Sequence, residues 1–205
     1  MPDSSDSQLQ EKVMSIVLAG GQGTRLYPLT LTRCKPAVSF GGKYRLIDIP
    51  ISNSLNSKIR KIFVISQYFA SGLQKHLSAT YIHNAISDQN LAMLCPEETS
   101  EGIQWFKGTA DAVRKNLRYL QDPNIEYYLI LSGDQLYNID LLQMVTFAKK
   151  TDADLVIASF TVLEKEAKRM GLLKIDANHQ IVDFYEKPQT LIFWKSFNSR
   201  ILRVI

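Results

Sequence analysis

A chain of 205 residues, 45% hydrophobic and 21% charged, is long enough for one domain with a sizeable core and has the composition of an ordinary soluble globular protein. Its net charge of +4 is mild and scattered, without the dense Lys/Arg block of a nucleic-acid tail, so a small anionic ligand fits it and no nucleic-acid partner is expected. No apolar run reaches membrane-span length, the first twelve residues are polar rather than a targeting peptide, and Cys34 and Cys95 lack metal or CxxC spacing, so a cytoplasmic protein with reduced thiols and no membrane partner is expected.

Residues 1–13 read as a flexible N-terminus. The first strand is SIVLA at 15–19, an apolar run that ends in the glycine-rich stretch AGGQGTR. KIFVIS at 61–66 gives a second strand, and YFASGLQKHL at 68–77 a weaker helix interrupted by Gly72. ADAVRKNLRYL at 110–120 sets Val113, Leu117 and Leu120 on one helical face, with Thr109 as N-cap. YYLILS at 127–132 is a third strand, followed by a helix from Asp140 that ends on Lys149 and Lys150, the charge order a helix dipole favours. DLVIASFTV at 154–162 reads as a fourth strand, and LLKIDANHQIVDFYEKP as two strands joined by a turn through Asn178. The alternation of strand and helix predicts an α/β protein, a Rossmann-like and mostly parallel sheet with helices on both faces. Ligands of such sheets gather at the carboxyl ends of strands. The glycines and the SGD of 132–134 both stand at such ends.

Gly20, Gly21 and Gly23 admit two readings: a sharp bend needing positive φ, or bare N–H groups that an oxyanion can approach. A Walker A loop requires Gly-Lys-Ser/Thr at its end, whereas Gly23 is followed by Thr24 and Arg25. The dinucleotide fingerprint requires a glycine where Leu26 stands. Two cations tip the balance toward phosphate. Arg25 offers a bidentate fork and Lys35, in TRCKPAV, a point charge, and together beside a glycine loop they suggest a polyphosphate ligand.

LAGGQGTRLYPLTLTRCKPAV resembles the signature of sugar-1-phosphate nucleotidylyltransferases, and FGGKYRLIDIPISNSLNSKIRKIFVISQY is similar to one branch, the glucose-1-phosphate adenylyltransferases (ADP-glucose pyrophosphorylases) of bacteria and plants. WFKGTADAVRKNL, LSGDQLY and DFYEKP resemble further motifs of that family in its order, over residues 14 to 188. The resemblance implies a nucleotidyltransferase fold of the GT-A-like kind. It also implies conversion of ATP and glucose 1-phosphate to ADP-glucose and diphosphate, feeding glycogen biosynthesis, with Mg²⁺ as cofactor and a homotetramer as the full-length assembly. Gly20, Gly21, Gly23, Thr24 and Gly108 would cradle the nucleotide. Arg25 and Lys35 would face the leaving pyrophosphate, and Asp134 would bind the metal and complete the catalytic set. Phe106, where the bacterial family often has tyrosine, Gly171, Glu186 and Lys187 would receive glucose 1-phosphate, while Trp105 would only pack. The glutamine with which the family reads the base has no clean counterpart, its slot falling on Leu94 or Glu98. A different base or sugar, or a non-catalytic nucleotide-binding chain, are the alternatives.

After Pro188 the likeness stops, and QTLIFWKSFNSRILRVI at 189–205 reads as a divergent tail with an exposed apolar segment at Leu191, Ile192, Phe193 and Trp194. By the resemblance the catalytic domain is truncated, lacking further sheet strands, a second metal-binding aspartate and the C-terminal left-handed β-helix. Unpaired strand edges and little turnover are the expected consequences.

Overall fold

The computed structural model describes residues 4–21, 23–82, 90–100, 102–162, 167–188 and 202–204. Two compact units, Met1–Val145 and Thr146–Ile205, divide the chain, so the expected catalytic stretch 14–188 is distributed over both.

The first unit is organised by β1 (Val13–Leu18), whose first five residues are all buried. Val13 and Val17 join one apolar cluster, and Met14 and Ile16 the other. Burial on both faces is why the strand reads as a near-continuous apolar run rather than an alternating one. Full burial of a side chain such as Ile16 is worth about 1.5–3 kcal/mol relative to exposure. Ser15 breaks the run, and its hydroxyl is satisfied by Ser54 Oγ at 2.8 Å.

After two antiparallel dipeptide strands, β2 (Ser39–Phe40) and β3 (Tyr44–Arg45), the chain forms α2 (Asp48–Asn56), β4 (Lys61–Ile65), α3 (Ala70–Leu77) and a π-helical turn, Ser78–Ile82. β5 (Asn90–Leu94), the short pair β6 (Glu98–Thr99) and β7 (Gly102–Ile103), α4 (Thr109–Lys115), α5 (Leu117–Leu120), β8 (Tyr127–Ser132) and α6 (Leu141–Thr151) follow. The four long strands make one sheet in the order β5-β4-β1-β8, with every pair parallel. Leu18 is in register with both Ile65 and Ser132, so β1, β4 and β8 end level and their following loops start in one row. The chain moves outward from β1 to β4 to β5, then returns to the other side of β1. That reversal opens a crevice between the carboxyl ends of β1 and β8.

Helices cover both faces, as expected for the α/β class. Ile51 of α2, Leu73 and Leu77 of α3, and Leu141 and Val145 of α6 pack into the cluster of Val13 and Val17. Ala112 of α4 and Leu120 of α5 pack into that of Met14 and Ile16. Asp140 caps α6, its Oδ1 accepting Leu142 N at 3.0 Å and Gln143 N at 3.2 Å.

Several expectations need correction. Ser4–Glu11 is a helix, α1, rather than a flexible lead-in; Leu9, 5% exposed, anchors it in the core. The helix expected over 110–120 breaks at Asn116, leaving Leu117 43% exposed while Leu120 is buried. Thr109 does not cap α4. Gly108 holds that position, and the Asp111 carboxylate reaches back to accept Lys107 N at 2.9 Å. Gly72 does not interrupt α3, and its carbonyl accepts Arg45 Nη1 at 2.9 Å.

The second unit holds an antiparallel sheet, ordered β11-β10-β12-β9, from β9 (Ser159–Thr161), β10 (Gly171–Ile175), β11 (Ile181–Glu186) and β12 (Leu202–Val204). The strand expected over 154–162 shrinks to three residues. β10 and β11 are the expected pair, joined by a turn in which Asp176 Oδ1 accepts Asn178 N (2.9 Å) and Gln180 N (2.8 Å). Leu191, Ile192, Phe193 and Trp194 lie outside the described residues. Among the described residues no helix is long and apolar enough to cross a membrane.

Candidate active site

The crevice at the carboxyl ends of β1 and β8 brings together residues far apart in sequence. Ala19 N donates to Ile65 O at 2.8 Å and Gly133 N to Leu18 O at 2.9 Å, which roots the loops after β1 and β8 to the neighbouring strands before they diverge.

The glycines of the first loop answer to different needs. Gly23 is left-handed, at φ 69°, and a Cβ there would stand 2.8 Å from Lys35 Cβ and 2.9 Å from Thr30 Cγ2. Only glycine satisfies both constraints. Its carbonyl accepts Leu26 N and Thr30 Oγ1, each at 2.9 Å, which fixes the 3₁₀ turn Thr24–Leu26. A Cβ on Gly21 would meet nothing within 4 Å, and one on Gly20 only Gln67, at 3.8 Å, so these two leave open space over bare backbone. The bend is present at Gly23, and the backbone at Gly20 and Gly21 is left uncrowded by the protein. Arg25, on the 3₁₀ turn, is exposed and makes no ion pair among the described residues.

Lys35 starts a second 3₁₀ turn, Lys35–Ala37, whose Pro36 and Ala37 are buried and whose preceding Cys34 is fully buried. Its ammonium meets Asp134 Oδ2 at 2.9 Å, both side chains about one-third exposed (32% and 30%). Ser132 Oγ donates to Asp134 Oδ1 at 2.7 Å. Burial disfavours the Asp134 carboxylate, but the hydrogen bonds from Ser132 and Lys35 and the Lys35 charge outweigh it and hold the carboxyl below the usual aspartate range. Gly133, beside it, is packed tight: a Cβ would lie 2.9 Å from both Ile47 Cδ1 and Leu18 O. Gly23, Lys35, Asp134 and Ser132 thus form one continuous line of contacts.

On the other flank, Gln67, just past β4, joins two loops. Its Oε1 accepts Phe106 N at 3.0 Å, and its Nε2 makes a long contact of 3.5 Å with Gly20 O. The Phe106 ring is not open to a sugar. It is 8% exposed and belongs to the core cluster of Met14, Ile16 and Leu120. Trp105, expected to pack, does so at the surface: 51% exposed, it stacks on Tyr68 with ring centroids 5.9 Å apart and planes 12° from parallel. Gly108 is extended, with nothing within 4 Å of a Cβ position, and opens α4. Leu94 lies in β5 against the second core cluster, and Glu98 is exposed in β6.

Gly171, Glu186 and Lys187 belong to the second unit and meet there. Gly171 pairs with Glu186 across β10 and β11, and a Cβ on Gly171 would stand 3.0 Å from the Phe184 ring and 3.2 Å from Glu186 Oε2. Lys187, left-handed at φ 45°, donates its N–H to Met170 O at 3.0 Å, and its ammonium pairs with the Glu186 carboxylate.

Sequence reasoning missed Gln67 and Ser132, whose roles come from strand ends lying level, and Gly133, where the crowding is tertiary. For Ser132 and Gly133 the SGD triplet after an apolar run was an available signal; Gln67 carried none. Among the described residues, no three or more His, Cys, Asp or Glu cluster to hold a metal, so an ion at Asp134 would draw most of its ligands from elsewhere.

A crevice floored by open glycine backbone, flanked by two cations and one ionised aspartate, is suited to phosphoryl chemistry without a covalent enzyme intermediate. Residues 14–193 match the family model described as nucleotidyl transferase. That match covers most of the 205 residues, and the chain belongs to the nucleotidyl transferase family.

Proposed function

We propose that the chain is a glucose-1-phosphate adenylyltransferase type of nucleotidyl transferase, joining ATP and glucose 1-phosphate into ADP-glucose with release of diphosphate. The observation that carries the reading is the Lys35–Asp134 pair set against Gly23 at the reversal point of the parallel sheet. The motif resemblance over residues 14–188 supplies the adenine and glucose assignments.

In this reaction an oxygen of the sugar phosphate attacks the α-phosphorus of ATP, and the bond to the bridging oxygen breaks as diphosphate leaves. The chain's part is to position and to stabilise charge. Gly20 and Gly21 leave the backbone approachable for phosphate oxygens, and the motif resemblance adds Thr24 and Gly108 to the nucleotide cradle. Arg25 and Lys35 neutralise charge building on the leaving diphosphate. By the motif resemblance Glu186 would accept hydrogen bonds from sugar hydroxyls and Lys187 would bind the sugar phosphate, with Gly171 paired to Glu186 on the neighbouring strand. Asp134 offers one ionised carboxylate, a donor set that suits an ion drawing its remaining ligands from water and substrate phosphates. Mg²⁺ held there would screen the phosphate charges when bound.

Release of diphosphate, followed with glucose 1-phosphate and each of ATP, UTP, GTP and dTTP, tests the reading. ATP is expected to be preferred; preference for UTP overturns the adenine assignment, and failure to bind any nucleoside triphosphate overturns the whole. Asp134→Asn and Arg25→Ala are each expected to lower turnover by about 10²-fold, as for loss of one well-aimed charge-stabilising group.

A further inference from the structure

We propose that Asp48 is a positioning residue for the Lys35–Asp134 pair, held in place by His76 and Tyr81; its catalytic meaning rests on the function proposed above. Asp48 opens α2 and is 5% exposed. Its two oxygens take three donors, one from the segment just before α2 and two from the continuous stretch of α3 and the π-helical turn. Oδ2 accepts Arg45 N at 2.8 Å, while Oδ1 accepts His76 Nε2 of α3 at 2.7 Å and the Tyr81 hydroxyl of the π-helical turn at 2.8 Å. A helix start needs one acceptor for its own backbone; this carboxylate also gathers side chains 28 and 33 residues away. A carboxylate so buried persists only where its lone pairs are used. Burial, and then the Asp48 charge, push the Tyr81 phenol well above its ordinary range, so it remains a donor.

The effect reaches the crevice through backbone. Leu46 N donates to Val38 O at 3.1 Å and Ile47 N to Pro36 O at 3.0 Å, so the residues just before Asp48 hold the turn that aims Lys35. The Ile47 side chain also lies against Gly133, next to Asp134. Arg45 Nη1, on Gly72 O, fastens the same segment to α3. Residues 45–48 therefore back both members of the pair, and the Asp48 cluster fixes residues 45–48. Loss of a donor should loosen Lys35 from Asp134 without removing any group that meets substrate.

The test is amine acetylation of the whole 205-residue chain with a succinimidyl acetate, at low conversion and read by mass spectrometry, with exposed Lys58 and Lys149 as internal references. Asp134→Asn sets the rate for an unpaired Lys35. His76→Phe and Tyr81→Phe are expected to raise Lys35 labelling toward that rate, by about fivefold, the scale of one net hydrogen bond, with the references unchanged. His76→Gln retains an amide donor and should keep Lys35 within about twofold of the parent. If Lys35 labelling in folded His76→Phe and Tyr81→Phe matches the parent, Asp48 has no positioning role. Should His76→Phe lose its cooperative melt, Tyr81→Phe, which removes a single oxygen atom, decides alone. Calorimetric titration of diphosphate with Mg²⁺ should show affinity falling in parallel. A parent chain that binds no diphosphate overturns the catalytic reading, while the labelling still decides whether Asp48 positions Lys35.

Discussion

β1 and β11 are both six residues long and both carry mostly apolar side chains, but one is sealed and the other bare. In β1 the apolar residues are covered by helices on each face and flanked by a strand on each edge. In β11, at the edge of its sheet, Val182 is 56% and Phe184 51% exposed. Apolar content alone did not decide burial; position within the sheet did. The same contrast separates the two sets of expected site residues. Those around Lys35 and Asp134 stand on loops rooted in the sealed sheet, whereas Glu186 ends the bare strand.

Four substitutions or conditions would break or sharpen that contrast. Ile16→Ala should cost most, about 2–5 kcal/mol in urea denaturation, because both transfer free energy and a cavity are lost in a two-sided core. A cost near zero would mean that this face is not packed as described. Gly23→Ala should come next, at about 1–3 kcal/mol, from the left-handed backbone and the collisions with Lys35 and Thr30. A fall in thermal midpoint without change in the far-ultraviolet spectrum would localise the damage to the loop. Smaller again is a pH effect at Asp134. Its folded pKa lies below the unfolded value of about 3.9, so its contribution is complete above that value and is lost as pH falls through the lower folded one. Acid titration of stability should therefore show a component below about pH 4 that Asp134→Asn lacks. Val182→Ala should matter least, within about 0.5 kcal/mol, as for an exposed position; a larger loss would show that β11 is covered.

Much of the first unit was legible because its strands are short apolar runs and its last helix carries a plain aspartate cap. Asp140 and the lysines at 149 and 150 announced α6 without tertiary help. α2 was not legible. DIPISNSLN contains Pro50 and two asparagines, which local propensity assigns to turns, yet Pro50 falls in the first turn, where no N–H is needed, and burial of Ile51 does the rest. Thr109 misled for the opposite reason. It is a good capping residue, but the helix starts one residue earlier, and Asp111 supplies the backbone acceptor instead. Within the crevice, Arg25 and Lys35 were found through charge beside glycine, and Asp134 through its strand-end triplet and the family resemblance. Gln67 and the Asp48 cluster were not, since each joins segments that only the folded sheet brings together.

The crowding around the glycines also sets where this site can change. Gly133 is boxed in by a methyl group and a carbonyl oxygen, and Gly23 by two side chains, so any larger residue there would have to displace the foundations on which the crevice stands. Gly20 and Gly21 meet no crowding from the protein itself, but under the function proposed above a methyl group at either would fill the space through which phosphate oxygens approach the backbone. Laboratory evolution toward a bulkier or smaller donor nucleotide would thus find few tolerated mutations at any of these four glycines, at 23 and 133 because the fold closes on them and at 20 and 21 because the ligand would.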